Sequence, residues 1–126
     1  MHTPAIAIAH SDSEYSKQLF EQLRLRAHFM DFRLANGLEA LNYLINHQPE
    51  IMILEEELPI LSAMDLIKMA NYKSLNTQFI VISHKSLLPD YSDWFFTDRP
   101  MVIHHKENID IISATISHCE KVFNAS

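Results

Sequence analysis

The sequence predicts an α/β fold, a doubly wound parallel sheet of five strands with helices on both faces. Short apolar runs alternate along the chain with segments of helical period, which is the pattern of repeated strand-helix units. The runs are short and continuous, as buried parallel strands are. The chain has 126 residues, of which 48% are hydrophobic and 21% charged, so we expect one domain, residues 1–126, with a hydrophobic core.

Five apolar runs are the strand candidates. They are Ala5–Ala9, Phe29–Leu34, Ile51–Leu54, Phe79–Ile82 and Met101–His104. In open α/β sheets, ligands bind beyond the carboxyl ends of the strands. Polar residues follow four of these ends, namely His10 to Asp12, Glu55 to Glu57, Ser83 with His84, and His104 to Lys106. We therefore expect any functional site to be built from these residues.

The first two helices are predicted from their caps and from apolar spacing. Ser11–Glu14 has the capping-box spacing and opens a first helix that runs to about Arg26. A second helix opens at Asn36 and Gly37 and ends before Pro49. Because Gly37 is the one glycine of the chain, its turn is predicted to need a left-handed backbone conformation.

Three more helices are predicted in the second half of the chain. Ser62 caps the third, and Pro89 suits the first turn of a fourth that runs through Phe96. The fifth has the clearest pattern, with Asn108 as its cap and apolar residues at steps of three and four up to Phe123.

Charge and cysteine content exclude several classes of function. The net charge of −6 argues against nucleic acid or an anionic membrane as a partner, since both need clustered Lys and Arg. No apolar stretch approaches the ~20 residues of a membrane span, and the start of the chain lacks a signal-peptide pattern. We therefore expect a cytoplasmic protein. The one cysteine, Cys119, excludes an internal disulfide and a multi-thiolate zinc site.

Several segments, in the right order, resemble the receiver domain of response regulators, the CheY-like family. AIAIAHSDSEYSKQL is similar to the first strand and helix of receivers, ANGLEALNYL to the second helix, and FIVISHK to the fourth strand. PEIMILEEELP resembles the centre of the domain, where a proline follows the phosphorylated aspartate by four positions. The resemblance covers almost the whole chain and implies the flavodoxin-like strand order 2-1-3-4-5. Glu55 occupies the position of the aspartate.

The residues at the metal-binding positions of receivers are altered. The family holds Mg²⁺ with two acidic residues at the end of the first strand, and the resemblance places His10 and Ser11 there. Asp12 matches a third, less essential acidic position. Mg²⁺ is held mainly through carboxylates, so imidazole and hydroxyl groups are poor substitutes. We expect no metal and no other cofactor at these positions.

The switch and counter-charge positions lead to the same expectation. Ser83 matches the switch hydroxyl of the family, and His105 stands where receivers have a lysine that pairs with the phosphoryl group. A competing register puts Arg99 at the lysine position but shortens the preceding helix by about a turn. Since metal, acceptor and counter-charge are all changed, the sequence predicts a degenerate receiver, or pseudo-receiver. Such a module has no catalytic residues and acts independently of phosphorylation.

The sequence allows two interpretations of Glu55. In the first, an acidic residue is simply retained at a strand end, solvated and without consequence. In the second, its carboxylate extends toward Ser83 and partly imitates a phosphorylated acceptor. Its charge is −1, whereas a phosphoryl group brings about −1.5 to −2.

The histidines raise an alternative function. His10, His84, His104 and His105 are all predicted at the same sheet edge as Glu55, and imidazoles with a carboxylate suit Zn²⁺ or another late divalent ion. Against this, strand alternation puts His104 and His105 on opposite faces, and the chain has no HxxxH or HxH motif. The alternative is a metal- or pH-responsive domain that uses His10, Glu55 and His105.

Aromatic residues of the predicted fourth helix are candidates for an interface. Tyr91, Trp94 and Phe95 share a helix face, and this face is either core or a partner surface rich in hot-spot residues. In receivers, this helix with the fifth strand and fifth helix commonly forms the dimer or effector face. We therefore expect a protein partner or a homodimer there, with no direct binding of nucleic acid or membrane.

Two other classes are weighed against the regulatory module. An α/β enzyme would show a GxSxG elbow or a glycine-rich phosphate loop, and a chain with one glycine has neither. A flavodoxin-like small-ligand binder would need the loop AHSDSEYS to cradle phosphate, and Asp12 and Glu14 argue against that. The resemblance favours a module that regulates an attached or a separate transcriptional output through protein contacts.

Overall fold

The computed structural model describes residues 5–26, 28, 30–85, 101–104 and 108–125. In chain order, its elements are β1 (Ile6–Ala9), α1 (Ser13–Leu25), β2 (Met30–Leu34), α2 (Gly37–His47), β3 (Ile51–Glu55), α3 (Ala63–Tyr72), β4 (Gln78–Ser83), β5 (Met101–His104) and α4 (Ile109–Ala125). All five predicted strands are present, as are the first, second, third and fifth predicted helices. The predicted fourth helix, from Pro89 through Phe96, lies outside the described residues.

The five strands form one parallel sheet in the order β2-β1-β3-β4-β5. This confirms the doubly wound sheet and its implied strand order. The connections reverse direction between β1 and β3, so the carboxyl ends of these two strands flank the topological switch point. No helix in the described part of the chain is long and apolar enough to cross a membrane.

Alternate strand residues face two separate cores. On one side, the alanines of β1 pack with Ala40 and Leu44 of α2 and with Leu66 of α3. On the other side, Ile6 and Ile8 of β1 pack with apolar residues of α1 and α4. A strand that is buried on both faces has to be apolar throughout, which is why the strands read as continuous runs in the sequence.

The predicted helix caps are correct except for the first. Asn36 and Ser62 cap α2 and α3, and the Asn108 side chain accepts from the Asp110 amide at the start of α4. The cap of α1 is Asp12, whose Oδ1 accepts from the amides of the second and third helical residues. The prediction of Ser11 as the cap is wrong because the Ser11 hydroxyl is bonded elsewhere, to Glu55.

Gly37 is required for space and not for a left-handed turn. No glycine has a positive φ, so that prediction is wrong. The Gly37 amide donates to the Pro59 carbonyl at 2.8 Å, which brings the start of α2 against the loop between β3 and α3. A Cβ on Gly37 would lie 2.2 Å from the Leu61 carbonyl oxygen. Within the described ranges, the residues with positive φ are Gln48, Ile60 and Ser74.

Candidate functional site

The carboxylate of Glu55 lies at the centre of the carboxyl edge of the sheet. Glu55 ends β3, and pairing of β1 with β3 brings the loop after β1 beside it. Its Oε1 accepts two hydrogen bonds from Ser11, one from the amide at 2.9 Å and one from the hydroxyl at 2.7 Å. Glu55 is 8% exposed. These bonds set the orientation of a nearly buried carboxylate.

Two imidazoles lie beside the other oxygen of Glu55. Oε2 is 3.9 Å from Nε2 of His10 and 3.7 Å from Nε2 of His84. One donor atom from each of these three residues lies within 4.8 Å of the other two. His10 is buried against the ring of Tyr15, whereas half of the His84 side chain is exposed. The structure therefore brings together two of the four histidines predicted at this edge.

The tautomer of His10 follows from its backbone contact. The amide of Asp12 donates to Nδ1 of His10 at 3.0 Å, and a nitrogen that accepts a hydrogen bond carries no proton. The neutral ring therefore has its proton on Nε2, and the resulting N–H group lies on the side of Glu55. This nitrogen lies 3.9 Å from Oε2 of Glu55.

The switch position Ser83 is bonded to Glu56 and not to Glu55. The Ser83 hydroxyl, fully buried, donates to Oε1 of Glu56 at 3.3 Å and accepts from the Lys85 amide at 3.2 Å. The Lys85 ammonium lies 3.4 Å from the same Glu56 oxygen. The sequence indicated no specific role for Glu56, which directly follows β3, or for Lys85, which lies two residues after the end of β4.

Both sequence interpretations of Glu55 need correction. Glu55 is not solvated, because it is almost fully buried and accepts two hydrogen bonds. Nor does it hold the Ser83 hydroxyl, since that group donates to Glu56. The carboxylate instead ties the end of β3 to Ser11 in the loop that follows β1.

The residues at the family's metal position do not fit Mg²⁺. That ion needs several oxygen ligands in near-octahedral geometry. Here His10 offers nitrogen, the Ser11 hydroxyl is directed at Glu55, and Oδ1 of Asp12 caps α1. A single carboxylate oxygen, Oε2 of Glu55, faces the two imidazoles.

A polar cavity of about 190 Å³ lies between the ends of β1 and β2. Its lining includes Ser13, Ser16, Arg33 and Glu39. The amides at the start of α1 that would hold a phosphate donate instead to Asp12, and Glu39 adds a negative charge at the cavity. The flavodoxin-like alternative gains no support from this cavity.

A second, partly buried cluster joins the segment before β2 to α4. His28 Nδ1 lies 3.0 Å from Oε1 of Glu120, and its Nε2 lies 2.7 Å from the Ser113 hydroxyl. The order is that of a serine-histidine-carboxylate triad, but Ser113 is inside α4, where backbone amides are used by the helix and cannot stabilise an oxyanion. We interpret the cluster as a structural link. No motif spacing in the sequence indicated it.

Burial raises the pKa of two groups in the described residues. The pKa of Tyr15, beside His10, is raised because burial disfavours the phenolate. The Tyr15 hydroxyl has no hydrogen-bond partner among the described residues. Burial, with the neighbouring charge of Glu120, also raises the pKa of the Cys119 thiol, which packs in the core between the sheet and α4.

Four of the predicted site residues lie outside the described residues. They are the lysine-equivalent His105 and the interface residues Tyr91, Trp94 and Phe95. The same holds for Arg99 of the competing register. His104, the last residue of β5, pairs with Ser83 in the sheet but is not one of the three residues around Glu55.

Comparison with solved structures shows the fold of receiver domains. The Francisella response regulator 1452 receiver domain matches with a TM-score of 0.85 and 15% identity, over 96% of this chain and 99% of that chain. A DNA-binding response regulator of the LuxR family from Staphylococcus aureus matches with a TM-score of 0.81 and 18% identity, over 92% and 98%. A CheY-like receiver domain protein from Methanospirillum hungatei matches with a TM-score of 0.79 and 13% identity, over 99% of this chain and 100% of that chain.

The remaining comparisons define how far this likeness reaches. Neither protein-family models nor curated proteins gave a match. At 13 to 18% identity the superpositions establish the fold. The chain has the receiver fold.

Proposed function

We propose that the chain is the receiver module of a two-component-type response regulator and acts by protein–protein contact, independently of phosphorylation. The fold and the sequence resemblance support the class. One observation supports the loss of phosphoryl chemistry, namely that the acceptor position holds a nearly buried glutamate whose Oε1 is bonded twice by Ser11.

The electrostatics of the edge support the same proposal. Phosphoryl transfer depends on positioning the group and on neutralising its charge, commonly with Mg²⁺. The residues around Glu55 supply imidazoles and a hydroxyl where Mg²⁺ needs carboxylates. Lys85, the cation described at the end of β4, is paired with Glu56 and Glu57. Among the residues that the structure describes, a phosphoryl group on Glu55 would therefore have neither a set of Mg²⁺ ligands nor an uncommitted ammonium beside it.

Regulation then passes through binding surfaces. We propose a cytoplasmic module whose partner, or second copy, binds at the face that includes Tyr91, Trp94 and Phe95. The net charge of −6 favours a protein partner over nucleic acid. The module would control a transcriptional output, attached or separate, and carry out no reaction of its own.

The phosphoryl proposal is tested with small donors. The protein is incubated with acetyl phosphate and Mg²⁺, and separately with beryllofluoride and Mg²⁺, and intact mass and amide spectra are recorded. We expect no stoichiometric adduct and no shift at the Glu55 or Ser83 amides. An established receiver provides the positive control.

Two variants make this test specific. Glu55→Gln removes the acceptor, and the triple variant His10→Asp, Ser11→Asp, Glu55→Asp restores the family's carboxylates. A phosphoryl adduct on the wild type that disappears in Glu55→Gln would refute the proposal. An adduct confined to the triple variant would show that the substitutions account for the loss.

A further inference from the structure

We propose that His10, Glu55 and His84 form a binding site for a late divalent transition-metal ion such as Zn²⁺, with Nε2 of each imidazole and Oε2 of the carboxylate as ligands. This inference goes beyond the proposed function, because it assigns a ligand to the edge that phosphoryl chemistry leaves unused. It also differs from the alternative drawn from the sequence. That alternative named His105 as the third residue, whereas the third residue here is His84.

The distances are close to those of a three-ligand site. Zn²⁺ bonds imidazole nitrogen and carboxylate oxygen at about 2.0 to 2.2 Å, so ligand atoms on a tetrahedral ion lie roughly 3.4 Å apart. Oε2 of Glu55 is 3.9 Å from the His10 nitrogen and 3.7 Å from the His84 nitrogen. All three donor atoms lie within 4.8 Å of one another. Coordination would require the three donor atoms to close by a few tenths of an ångström from these distances.

Ser11 prepares the carboxylate for this role. It holds Oε1 of Glu55 with its amide and its hydroxyl, which leaves Oε2 turned to the imidazoles. Hydrogen bonds from neighbouring groups that orient a metal ligand commonly raise affinity 10- to 100-fold. Ser11 is therefore a positioning residue and does not itself coordinate the ion.

The donor set selects the class of ion. Two nitrogens and one oxygen suit Zn²⁺, Co²⁺ or Ni²⁺ and are poor ligands for Mg²⁺ and Ca²⁺, which prefer oxygen. The burial of His10 and Glu55 keeps two ligands in place. The half-exposed His84 side chain provides the open side through which an ion enters.

Metal binding is coupled to the start of α1. An imidazole coordinates through an unprotonated nitrogen, but Nδ1 of His10 accepts from the Asp12 amide and the ring proton is on Nε2. Coordination through Nε2 requires that proton to leave and Nδ1 to take one up. The Asp12 amide then loses its acceptor next to the cap of α1. The site converts metal binding into a change at the first turn of this helix.

The test uses Co²⁺ and Zn²⁺ as probes on the whole chain. Purified protein, stripped of metal with a chelator, is titrated by calorimetry and by Co²⁺ absorption. We expect one ion per chain, with no binding of Mg²⁺ at the same concentrations. His84→Ala and Glu55→Gln should each weaken binding at least ~10-fold, and Ser11→Ala should weaken it about 10-fold. Circular dichroism shows that each variant is folded.

Matched controls separate this site from binding at surface histidines. His47→Ala on α2 and His118→Ala on α4 should leave Zn²⁺ affinity unchanged. In amide spectra, Zn²⁺ should shift the Asp12 resonance in the wild type and not in His84→Ala. The inference would be overturned if the wild type failed to bind Zn²⁺. It would also be overturned if folded His84→Ala and Glu55→Gln bound Zn²⁺ as tightly as the wild type. Loss of binding in the two controls would overturn it as well. None of these outcomes depends on whether the protein is phosphorylated.

Discussion

The amide and the hydroxyl of Ser11 both donate to the same carboxylate oxygen of Glu55, 44 positions along the chain. This pair joins the loop after β1 to the end of β3 at the switch point of the sheet. It explains why Ser11 does not cap α1 and why Glu55 is not directed at Ser83. The carboxyl edge of the sheet is therefore organised by a structural contact between these two residues.

Replacement of Ser11 tests the strength of that contact. Ser11→Ala should lower the free energy of unfolding by about 1.5 to 3 kcal/mol, because the mutation removes a hydrogen bond to a nearly buried carboxylate. Ser11→Thr keeps the hydroxyl and should cost less. Urea unfolding monitored by circular dichroism measures both changes. Equal stability of Ser11→Ala and the wild type would show that the hydroxyl contributes nothing.

Gly37→Ala should destabilise the fold by about 1 to 3 kcal/mol through overpacking. The added methyl would meet the backbone of Leu61, which cannot move without disturbing the loop beside Glu55. Leu38→Ala, at a half-exposed position of the same helix, is the matched control and should change stability by no more than about 0.5 kcal/mol. Chemical denaturation of the two variants distinguishes a spatial requirement from general sensitivity of α2. A neutral Gly37→Ala would refute the close approach.

Tyr15→Phe should stabilise the protein by about 1 kcal/mol, since it removes a buried hydroxyl that has no partner among the described residues. The mutation should also reduce the fall in the free energy of unfolding that occurs at alkaline pH. Burial raises the pKa of Tyr15 above its ordinary 10.0, so the unfolded chain loses this proton at lower pH than the folded chain. The ionisation of Tyr15 therefore has no effect on stability below about pH 10, and it lowers the stability of the wild type as the pH rises toward and through the raised pKa.

Unfolding free energies at pH 8 and pH 11 test the effect of Tyr15. The drop between the two values should be smaller in Tyr15→Phe than in the wild type. Tyr72→Phe is the control, because Tyr72 is 90% exposed and should leave the drop unchanged. If both variants behave alike, burial of Tyr15 is not the cause.

Trp94→Ala should weaken self-association or partner binding by about 2 kcal/mol or more if Trp94 is a hot spot, with the fold intact. If the residue belongs to the core, the same change should instead cost roughly 3 to 5 kcal/mol of stability. Sedimentation together with thermal melting separates these outcomes, and Tyr72→Ala, at an exposed aromatic, is the control. A variant that melts early but associates normally when folded would remove the interface.

The sequence was sufficient for the fold because its signals are local. Five apolar runs became the five strands, and four described helices begin and end within a few residues of the predicted positions. Asn36, Ser62 and Asn108 were recognised as caps since a cap bonds amides two or three residues away. The exceptions, Ser11 and Gly37, are positions where a residue distant in sequence makes the deciding contact.

The sequence by itself determined that Glu55 stands at the end of one strand and that His10 and Ser11 follow the end of another. Tertiary structure decided which groups meet. Oε1 of Glu55 accepts a hydrogen bond from the Ser11 hydroxyl, and Oε2 faces His10 and His84. The Ser83 hydroxyl donates to Glu56. These contacts depend on the register of β1, β3 and β4 and on side-chain rotamers. Burial and hydrogen-bond geometry set the energy differences between the possible arrangements, and neither can be derived from a local sequence pattern.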